Sequence, residues 1–286
     1  MIAAVAFGLT QTLNRKSNKL IGPYRTAFGL LVVVEVALLA TVIVSGEIDR
    51  LGSAPWWALI SFAIATLFHF GAGWTLLAMS QQRVGVARTG ALVSAAPLLG
   101  AIAAALLLDE PLGLLTVLGV LVVAGGVALL SLSSNAPSRG SPGRGVPWHA
   151  LTVAALWGLS PILVRKGLEG LPYPILGLTI GLGVTIAIYG LGLTLTRRWG
   201  PGLPARGLMW VVLGGLTGAL AISAQWISFN LTTIAIALSL QQTAVLVVVV
   251  LAPIMFREPL ERLSVPLLFG TAAILAGTTL VVLQRS

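Results

Sequence analysis

Residues 23–45 read PYRTAFGLLVVVEVALLATVIVS, with Arg25 and Glu35 as the charged residues of an otherwise apolar run. A helix needs about 20 predominantly apolar residues to cross the hydrocarbon core of a bilayer, which is about 30 Å thick. The run is apolar on every side and lacks the alternation of a barrel strand. It therefore predicts a transmembrane helix.

The composition of the whole chain agrees with that stretch. Of the 286 residues, 57% are hydrophobic and 9% are charged, whereas an average soluble domain has about 25% charged residues. So few charged side chains cannot cover the surface of a soluble globule of this length. We expect an integral, multi-pass protein of the plasma or inner membrane, and not a soluble enzyme or a secreted disulfide-bonded module.

The net charge is read in the same context. Seventeen Lys and Arg residues against eight Asp and Glu residues give a net charge of +9, which in a soluble protein would suggest a nucleic-acid partner. Here the basic residues lie in short connections, where membrane proteins keep the charges that fix orientation. No nucleic-acid partner is expected. Because the chain has no cysteine and two histidines, we expect no metal site and no cofactor.

Nine other apolar runs accompany the first. They lie near residues 1–15, 56–79, 86–108, 111–131, 149–167, 173–196, 206–230, 234–256 and 263–283. The run at 1–15 is short and crosses the membrane only if its helix continues to Lys16 or Lys19, whose long side chains can reach the interface. A trimmed or misassigned start is the alternative, and a cleaved signal peptide is not expected. The sequence thus predicts ten transmembrane helices.

A polar stretch interrupts this pattern near the middle of the chain. Residues 131–149 include five Ser, three Pro and three Gly, a composition that is typical of a flexible linker. We therefore divide the chain into a first membrane domain at 1–131, a linker at 132–148 and a second membrane domain at 149–286.

The two membrane domains share short motifs in the same order, at offsets of 148 to 152 positions. The matches pair Phe7-Gly8-Leu9-Thr10 with Trp157-Gly158-Leu159-Ser160, Arg15-Lys16 with Arg165-Lys166, Trp74 with Trp226, Asp109-Glu110-Pro111-Leu112 with Arg257-Glu258-Pro259-Leu260, and Ala124-Gly125 with Ala276-Gly277. Together they indicate a five-helix unit written twice. Because five is odd, the second copy enters the membrane from the opposite side. The halves are then inverted repeats, as in secondary transporters.

These motifs resemble the EamA-type members of the drug/metabolite transporter superfamily. The shared features are the aromatic-Gly opening of each half, a basic residue about eight positions later, and the Glu-Pro-Leu between the fourth and fifth helices of each half. The resemblance extends over essentially the whole chain. It implies a ten-helix carrier of small metabolites, often an exporter of amino acids or related compounds.

Two arguments about orientation disagree. The odd-numbered connections carry 13 Lys and Arg residues, and the even-numbered ones with the C-terminus carry 4. This count favours both termini outside the cytoplasm, whereas the resemblance implies both termini inside. Several counted residues, such as Arg25, coincide with family motif positions. A reporter that is active only outside the cytoplasm, fused at Ser286, decides between the two.

Glu35 and His69 are ionisable residues inside predicted spans. Such residues are costly in a membrane and by default suggest function. A low-dielectric surrounding favours the neutral carboxyl group, and histidine commonly titrates near physiological pH. We interpret both residues as candidates for proton coupling, at similar depth if their helices pack as neighbours. The alternative is structural, with Glu35 neutral or paired with Arg88 or His69.

Uncharged polar and aromatic side chains form a second candidate set. Amides donate and accept hydrogen bonds and indoles stack, so the set suits a small polar or zwitterionic substrate. The alternative is hydrogen bonding between helices, worth under about 1–2 kcal/mol each, with Trp as an interface anchor. The candidate substrate-binding residues are Gln11, Asn14, Trp74, Trp157, Gln225, Gln241 and Gln242.

Two further motifs predict local structure. Glu110 and Glu258 each precede the Pro that begins a predicted helix, so we predict that each caps the positive end of that helix. Pro97 and Pro253 fall at near-matching places in the fourth and ninth spans. They predict helix interruptions, which mark binding sites or hinges in transporters.

The leading functional hypothesis is a secondary active transporter that exports a small polar metabolite, such as an amino acid, by proton-coupled alternating access. The alternatives are a uniporter or importer of the same fold, a lipid flippase and a non-transporting membrane protein. An enzyme is not expected, because cysteine is absent and Glu35 is the one in-span acid. The substrate, the direction, the coupling ion and the choice between monomer and homodimer stay open.

Overall fold

The computed structural model describes residues 1–84, 89, 92–110, 112–133, 148–199, 204–244, 246–247, 250–251 and 265–283. Over these residues the regular secondary structure is helical, without strands. Most of the predicted linker lies outside the described residues, as do Arg88, Pro111, Pro253 and Glu258. The all-helical prediction is therefore confirmed for the described part of the chain.

The described ranges contain these helices: α1 (Ile2–Ile21), α2 (Pro23–Ser45), α3 (Trp56–Thr66), α4 (Trp74–Val84), α5 (Ala96–Leu107), α6 (Leu114–Ser133), α7 (Trp148–Gly170), α8 (Pro174–Leu195), α9 (Ala205–Leu231), α10 (Ile234–Gln242) and α11 (Val265–Leu283). A 3₁₀ segment (Glu47–Ser53) follows α2, and a π-helical segment (Leu67–Gly73) joins α3 to α4.

Proline and glycine set several helix ends. Pro23 and Pro174 begin α2 and α8, where the missing N–H has no intrahelical partner to lose. Gly46 ends α2 with a φ of 70°, a left-handed conformation that glycine adopts without a Cβ clash. These positions agree with the connections that the sequence predicts.

Eight of the ten predicted spans correspond to apolar helical stretches. Five are long and apolar enough to cross a membrane: Tyr24–Ser45, Trp56–Leu77, Trp148–Gly170, Pro174–Leu195 and Ala205–Leu231. Shorter apolar stretches occur at Ala96–Leu107, Leu114–Leu129 and Ala272–Leu283. The total of ten spans and the inversion of the two halves stay predictions.

The chain divides into two compact units. Unit 1 comprises Met1–Gly71 and Leu163–Leu231, and unit 2 comprises Ala72–Ile162 and Thr232–Ser286. Each unit draws residues from both predicted membrane domains. The compact units and the sequence repeats are thus different divisions of the chain, and the domain boundaries at 131 and 149 stay a prediction.

In unit 1, α9 packs against both α1 and α2. It runs antiparallel to α1, since Thr10 bonds Thr217 while Ile21 lies against Gly207. It runs parallel to α2, since Val211 contacts Gly29 and Gly218 lies against Val34. Glycines on α9 permit this close approach because they lack side chains.

Helix α8 packs against α2 and α3, also within unit 1. It runs antiparallel to α2, with Gly190 near Phe28 and Gly183 near Glu35. It runs parallel to α3, with Gly177 against the Phe62 ring and Thr185 bonded to Thr66. The end of α7 also reaches α3, where Gly167 lies against Phe62.

In unit 2, α6 and α11 form the most extensive helix pair. A Cβ at Gly119 would stand 2.6 Å from the Gly277 oxygen, and one at Gly126 would stand 2.8 Å from the Gly270 oxygen. Residue numbers that rise along α6 while they fall along α11 show that the two helices are antiparallel. Helix α5 packs against α10, with Gly100 facing Leu238.

Candidate functional site

Glu35 lies midway along α2, on the side that faces α8. Its Oε1 lies 3.6 Å from the position that a Cβ at Gly183 would take. Its Oε2 is buried and has no hydrogen-bond partner. A buried carboxylate oxygen without a donor is costly, so this group is best satisfied by its own proton or by a bound ligand. The geometry therefore suits a proton-carrying group.

His69 lies in the π-helical segment and is partly buried. Its ring centroid is 4.6 Å from that of Phe70. Short π segments are rare and often occur at functional sites. Helices α2 and α3 both pack extensively against α8, so α8 is the common neighbour of the two elements that carry Glu35 and His69.

The predicted amides of unit 1 lie in different surroundings. Gln11 is exposed on α1, whereas Asn14 is partly buried against α9, close to Gly214. Asn14 Oδ1 is buried and has no hydrogen-bond partner. Gln225 on α9 is 2% exposed and precedes Trp226, whose ring centroid lies 5.7 Å from that of Phe62. Of the three amides, Asn14 alone is shown with an unpaired buried atom.

Unit 2 contains the other candidates, and two of them lie at a helix interruption. Helix α10 ends at Gln242, and a turn follows at Thr243. Gln241 and Gln242 are partly buried in the last turn. Such breaks release backbone groups from the helical ladder and are found at the binding sites of transporters.

A second interruption occurs at a matching place in the first half of the chain. The turn at Ser94 and Ala95 precedes α5, and Ser94 stands 149 positions before Thr243, within the range of offsets of the repeated motifs. Pro97 lies in the first turn of α5, so the predicted interruption is present in the fourth span. Its counterpart at Pro253 lies outside the described residues.

Trp157 and Trp74 are partly buried in α7 and at the start of α4. Beside Trp157, a Cβ at Gly158 would stand 2.9 Å from the Ala96 oxygen, so α7 closely approaches the first turn of α5. Trp74 directly follows the π-helical segment. Both tryptophans thus neighbour irregular stretches of helix.

Glu110 is a capping residue, but the prediction of its helix was wrong. Its carboxylate accepts hydrogen bonds from the Ile234 N–H at 3.0 and 3.4 Å. Ile234 is the first residue of α10, whereas the prediction assigned Glu110 to the helix that follows it in sequence, α6. Thr233 completes this cap, since its hydroxyl accepts from the Ile236 N–H. Tertiary packing placed a remote helix end within reach of the carboxylate.

Ser239 is a polar residue near this site that the sequence reasoning missed. It lies on α10, is 0% exposed, and its hydroxyl has no hydrogen-bond partner. The run Ser239-Leu240-Gln241-Gln242-Thr243 places four polar residues within an apolar span. That density of polar side chains is the signal that could have located the interruption.

Comparisons with known proteins agree with this architecture. Residues 1–132 match the sequence profile of the EamA-like transporter family. Among solved structures, 27 chains match. One, described only as the crystal structure of a protein, is 20% identical, has a TM-score of 0.80, and covers 99% of this chain and 94% of its own. At that identity the likeness shows the fold alone. No curated protein matches the chain.

The resemblance to the EamA-type transporters is thus confirmed over residues 1–132. Together with the apolar helices, it identifies the protein as a multi-pass integral membrane protein. The family suggests a membrane transporter, which implies a small-molecule substrate and a lipid environment.

Proposed function

We propose that the protein is a secondary active transporter that exports a small polar metabolite by alternating access between two inverted five-helix repeats. Glu35 is the proposed proton site, with His69 as a second candidate. The polar groups at the interruptions of α5 and α10 are the proposed contacts for the substrate. An amino acid is the substrate class that matches this set of amides, hydroxyls and indoles without a buried cation.

The observation that carries the proposal is the pairing of counterpart helices. The second and seventh spans, α2 and α8, pack antiparallel, and so do the fifth and tenth, α6 and α11. Counterparts in inverted repeats must run in opposite directions, whereas counterparts in a tandem repeat of one orientation would run the same way. This direction supports inversion.

The packing of the remaining helices supports the same conclusion. Exchanging each span for its counterpart converts the antiparallel contact of α1 with α9 into that of α7 with α3. It also converts the parallel contact of α2 with α9 into that of α8 with α3. A pattern that survives this exchange suits a carrier with two alternative states of comparable energy.

Glu35 adds the proposed coupling. It lies on one of the self-paired helices, next to Gly183 of the counterpart helix. A proton bound at Oε2 would remove the cost of the unpaired buried oxygen, and loss of that proton would restore the cost. Proton occupancy thereby changes the packing energy of α2 against α8, which links protonation to conformation.

The substrate is sought first by binding. Purified protein in detergent is heated with amino acids and related polar metabolites, because a ligand that binds the folded state raises the unfolding temperature. Gln242→Ala is expected to abolish the stabilisation by the true substrate. Asn18→Ala, a change at an exposed amide on α1, is the control and is expected to retain it.

Transport is then measured with the radiolabelled substrate in proteoliposomes. We expect a pH gradient to drive accumulation by the wild type, and Glu35→Gln to lose this accumulation while retaining exchange of substrate at equal pH. Glu169→Gln, at an exposed carboxylate that pairs with Lys166, is the control and should transport as the wild type does. Accumulation by Glu35→Gln equal to that of the wild type would refute the coupling, and absence of flux for every bound ligand would refute the transporter.

A further inference from the structure

Seven basic residues converge at one end of unit 1. We call this the basic end: Arg15, Lys16, Lys19, Arg25, Arg197, Arg198 and Arg206. They meet because α1 ends, α2 begins, α8 ends and α9 begins at the same end of the unit. Ile21 contacts Gly207, and the Arg198 guanidinium lies 4.6 Å from the centre of the Tyr24 ring. No residue from 15 to 25 or from 197 to 206 is Asp or Glu.

The opposite end of unit 1 is electrically balanced. We call it the neutral end, where Gly170 contacts Trp57 and the Arg50 guanidinium lies 5.8 Å from the centre of the Tyr173 ring. Its charged residues are three bases and three acids: Arg50, Arg165, Lys166, Glu47, Asp49 and Glu169. The Lys166 and Glu169 side chains form an ion pair at 3.2 Å. The excess positive charge of unit 1 is therefore confined to one end.

Aromatic side chains accompany the basic residues at the basic end. The Lys16 ammonium lies 4.3 Å from the Trp210 ring centroid. Trp199 donates its indole N–H to the Thr194 hydroxyl at 3.0 Å and meets the Phe28 ring edge-on. Tryptophan and tyrosine concentrate at the level of lipid headgroups. This arrangement fits the basic end to the interface between lipid and water.

Arginines at this end are displayed outward by the end of α8. Arg197 and Arg198 are exposed, and their N–H groups donate to the Thr194 and Leu193 oxygens. Arg197 has a φ of 51°, the left-handed cap that commonly ends a helix. Positive charge is favourable at the negative end of the helix dipole. Arg206, in the first turn of α9, is also exposed.

Apolar side chains lie directly beside these arginines on the outer surface. Leu195 is 75% exposed, and Leu208 and Met209 are 48% and 47% exposed. A surface with guanidinium groups at headgroup level and exposed apolar side chains one or two residues away matches an amphiphilic anion. A guanidinium also binds phosphate oxygens in pairs.

We propose that the basic end of unit 1 binds the phosphate headgroups of anionic phospholipids in the leaflet that it faces, with Arg197, Arg198 and Arg206 as direct contacts. Clustered Lys and Arg residues near membrane helices attract anionic lipids by about 1 kcal/mol per basic residue. The phospholipid supplies the counter-charge that segments 15–25 and 197–206 lack, and its acyl chains cover Leu195, Leu208 and Met209. This binding does not depend on which solute the protein transports.

The test measures lipid binding by the full chain in nanodiscs that contain phosphatidylglycerol and phosphatidylcholine. Enrichment of phosphatidylglycerol around the protein is read by native mass spectrometry. We expect the triple variant Arg197→Gln/Arg198→Gln/Arg206→Gln to lower the preference for phosphatidylglycerol at least about tenfold. The matched control Arg50→Gln/Arg165→Gln/Lys166→Gln removes three bases from the neutral end and should retain the preference.

Two further arms separate the proposal from its rivals. The charge-conserving triple variant with Lys at 197, 198 and 206 should keep most of the preference, and it replaces the glutamine variant if that variant fails to fold. Glycerol phosphate, which is the headgroup without acyl chains, should not displace phosphatidylglycerol or raise the unfolding temperature. An unchanged preference in the glutamine variant, equal loss in the neutral-end control, loss in a folded lysine variant, or equal binding of glycerol phosphate would each overturn the proposal.

Discussion

Unit 1 and unit 2 build their helices differently. In unit 1, α8 and α9 run for 22 and 27 residues. In unit 2, α5 and α10 have 12 and 9 residues, which at about 1.5 Å per residue is well short of the hydrocarbon core of about 30 Å. A continuous helix satisfies its own backbone, whereas an interrupted one leaves donors and acceptors for other partners. The difference separates a closely packed unit from one that offers polar groups.

The buried hydroxyl groups follow the same division. On α8 of unit 1, the Thr185 hydroxyl bonds Thr66 at 3.0 Å and the Gly181 oxygen at 3.1 Å. On α10 of unit 2, the Ser239 hydroxyl is buried without a partner. Satisfied groups stabilise a single packing, while an unpaired group costs energy until a partner arrives. Substitutions in the two units should therefore have different consequences.

The largest effect is expected from Gly181→Val in unit 1. A Cβ at Gly181 would stand 2.5 Å from the backbone oxygen of Phe62, and a backbone atom cannot move aside as a flexible side chain can. We expect a loss of about 3 kcal/mol or more of stability, measured by denaturant unfolding in detergent. Gly192→Ala, with nothing within 4 Å of its Cβ position, is the control and should keep or raise stability. Equal stability of the two variants would contradict the close packing of α3 against α8.

Next in size is Glu110→Ala in unit 2. Loss of the carboxylate leaves the Ile234 N–H without this acceptor, which should cost about 1 kcal/mol. Hydrogen exchange identifies the helix concerned, because amides at the start of α10 should exchange faster while those at the start of α6 stay protected. Asp109→Asn is the control, since Asp109 is exposed with a φ of 54°, a conformation that Asn tolerates. Faster exchange at Leu114 alone would restore the sequence-based assignment.

The two cases show how far the sequence could be read. The apolar runs predict the helices well, because the length and composition of each run decide whether it can cross a bilayer. The capping character of Glu110 is equally local, since it follows from a carboxylate beside a helix start. Its partner was not predictable, because α6 and α10 compete for one side chain and the choice depends on tertiary packing.

The candidate site divides in the same way. Residue type made Glu35 a candidate, and the structure adds an unpaired oxygen next to Gly183. The interruption after Gln242 has no proline at the break, so a search for proline in the ninth span pointed to Pro253 instead. Which face of a helix is buried depends on its neighbours, and an apolar run without a polar face does not reveal them.

A smaller effect is expected from Thr185→Val in unit 1. The substitution keeps the shape of the side chain but removes a hydrogen bond between α8 and α3, which in membranes is worth about 0.6 kcal/mol. Thr41→Val is the matched control, because the exposed Thr41 hydroxyl bonds only its own helix, at the Ala37 oxygen. We expect Thr185→Val to unfold at lower denaturant than Thr41→Val, with unchanged substrate binding. A change in substrate affinity would mean that unit 1 also supplies binding groups at this level.

The smallest effect on stability, and the sharpest contrast, is expected from Ser239→Ala in unit 2. Removing a buried hydroxyl that has no partner should leave stability unchanged or raise it by under about 1 kcal/mol, although the same deletion at Thr185 lowers it. If the hydroxyl gains a partner in the other state of the transport cycle, its removal favours the present state and slows turnover. Exchange flux in proteoliposomes should then fall while the unfolding midpoint does not. A lower midpoint would mean that Ser239 has a partner in the folded state, and unchanged flux with an unchanged midpoint would mean that the interruption of α10 takes no part in the cycle.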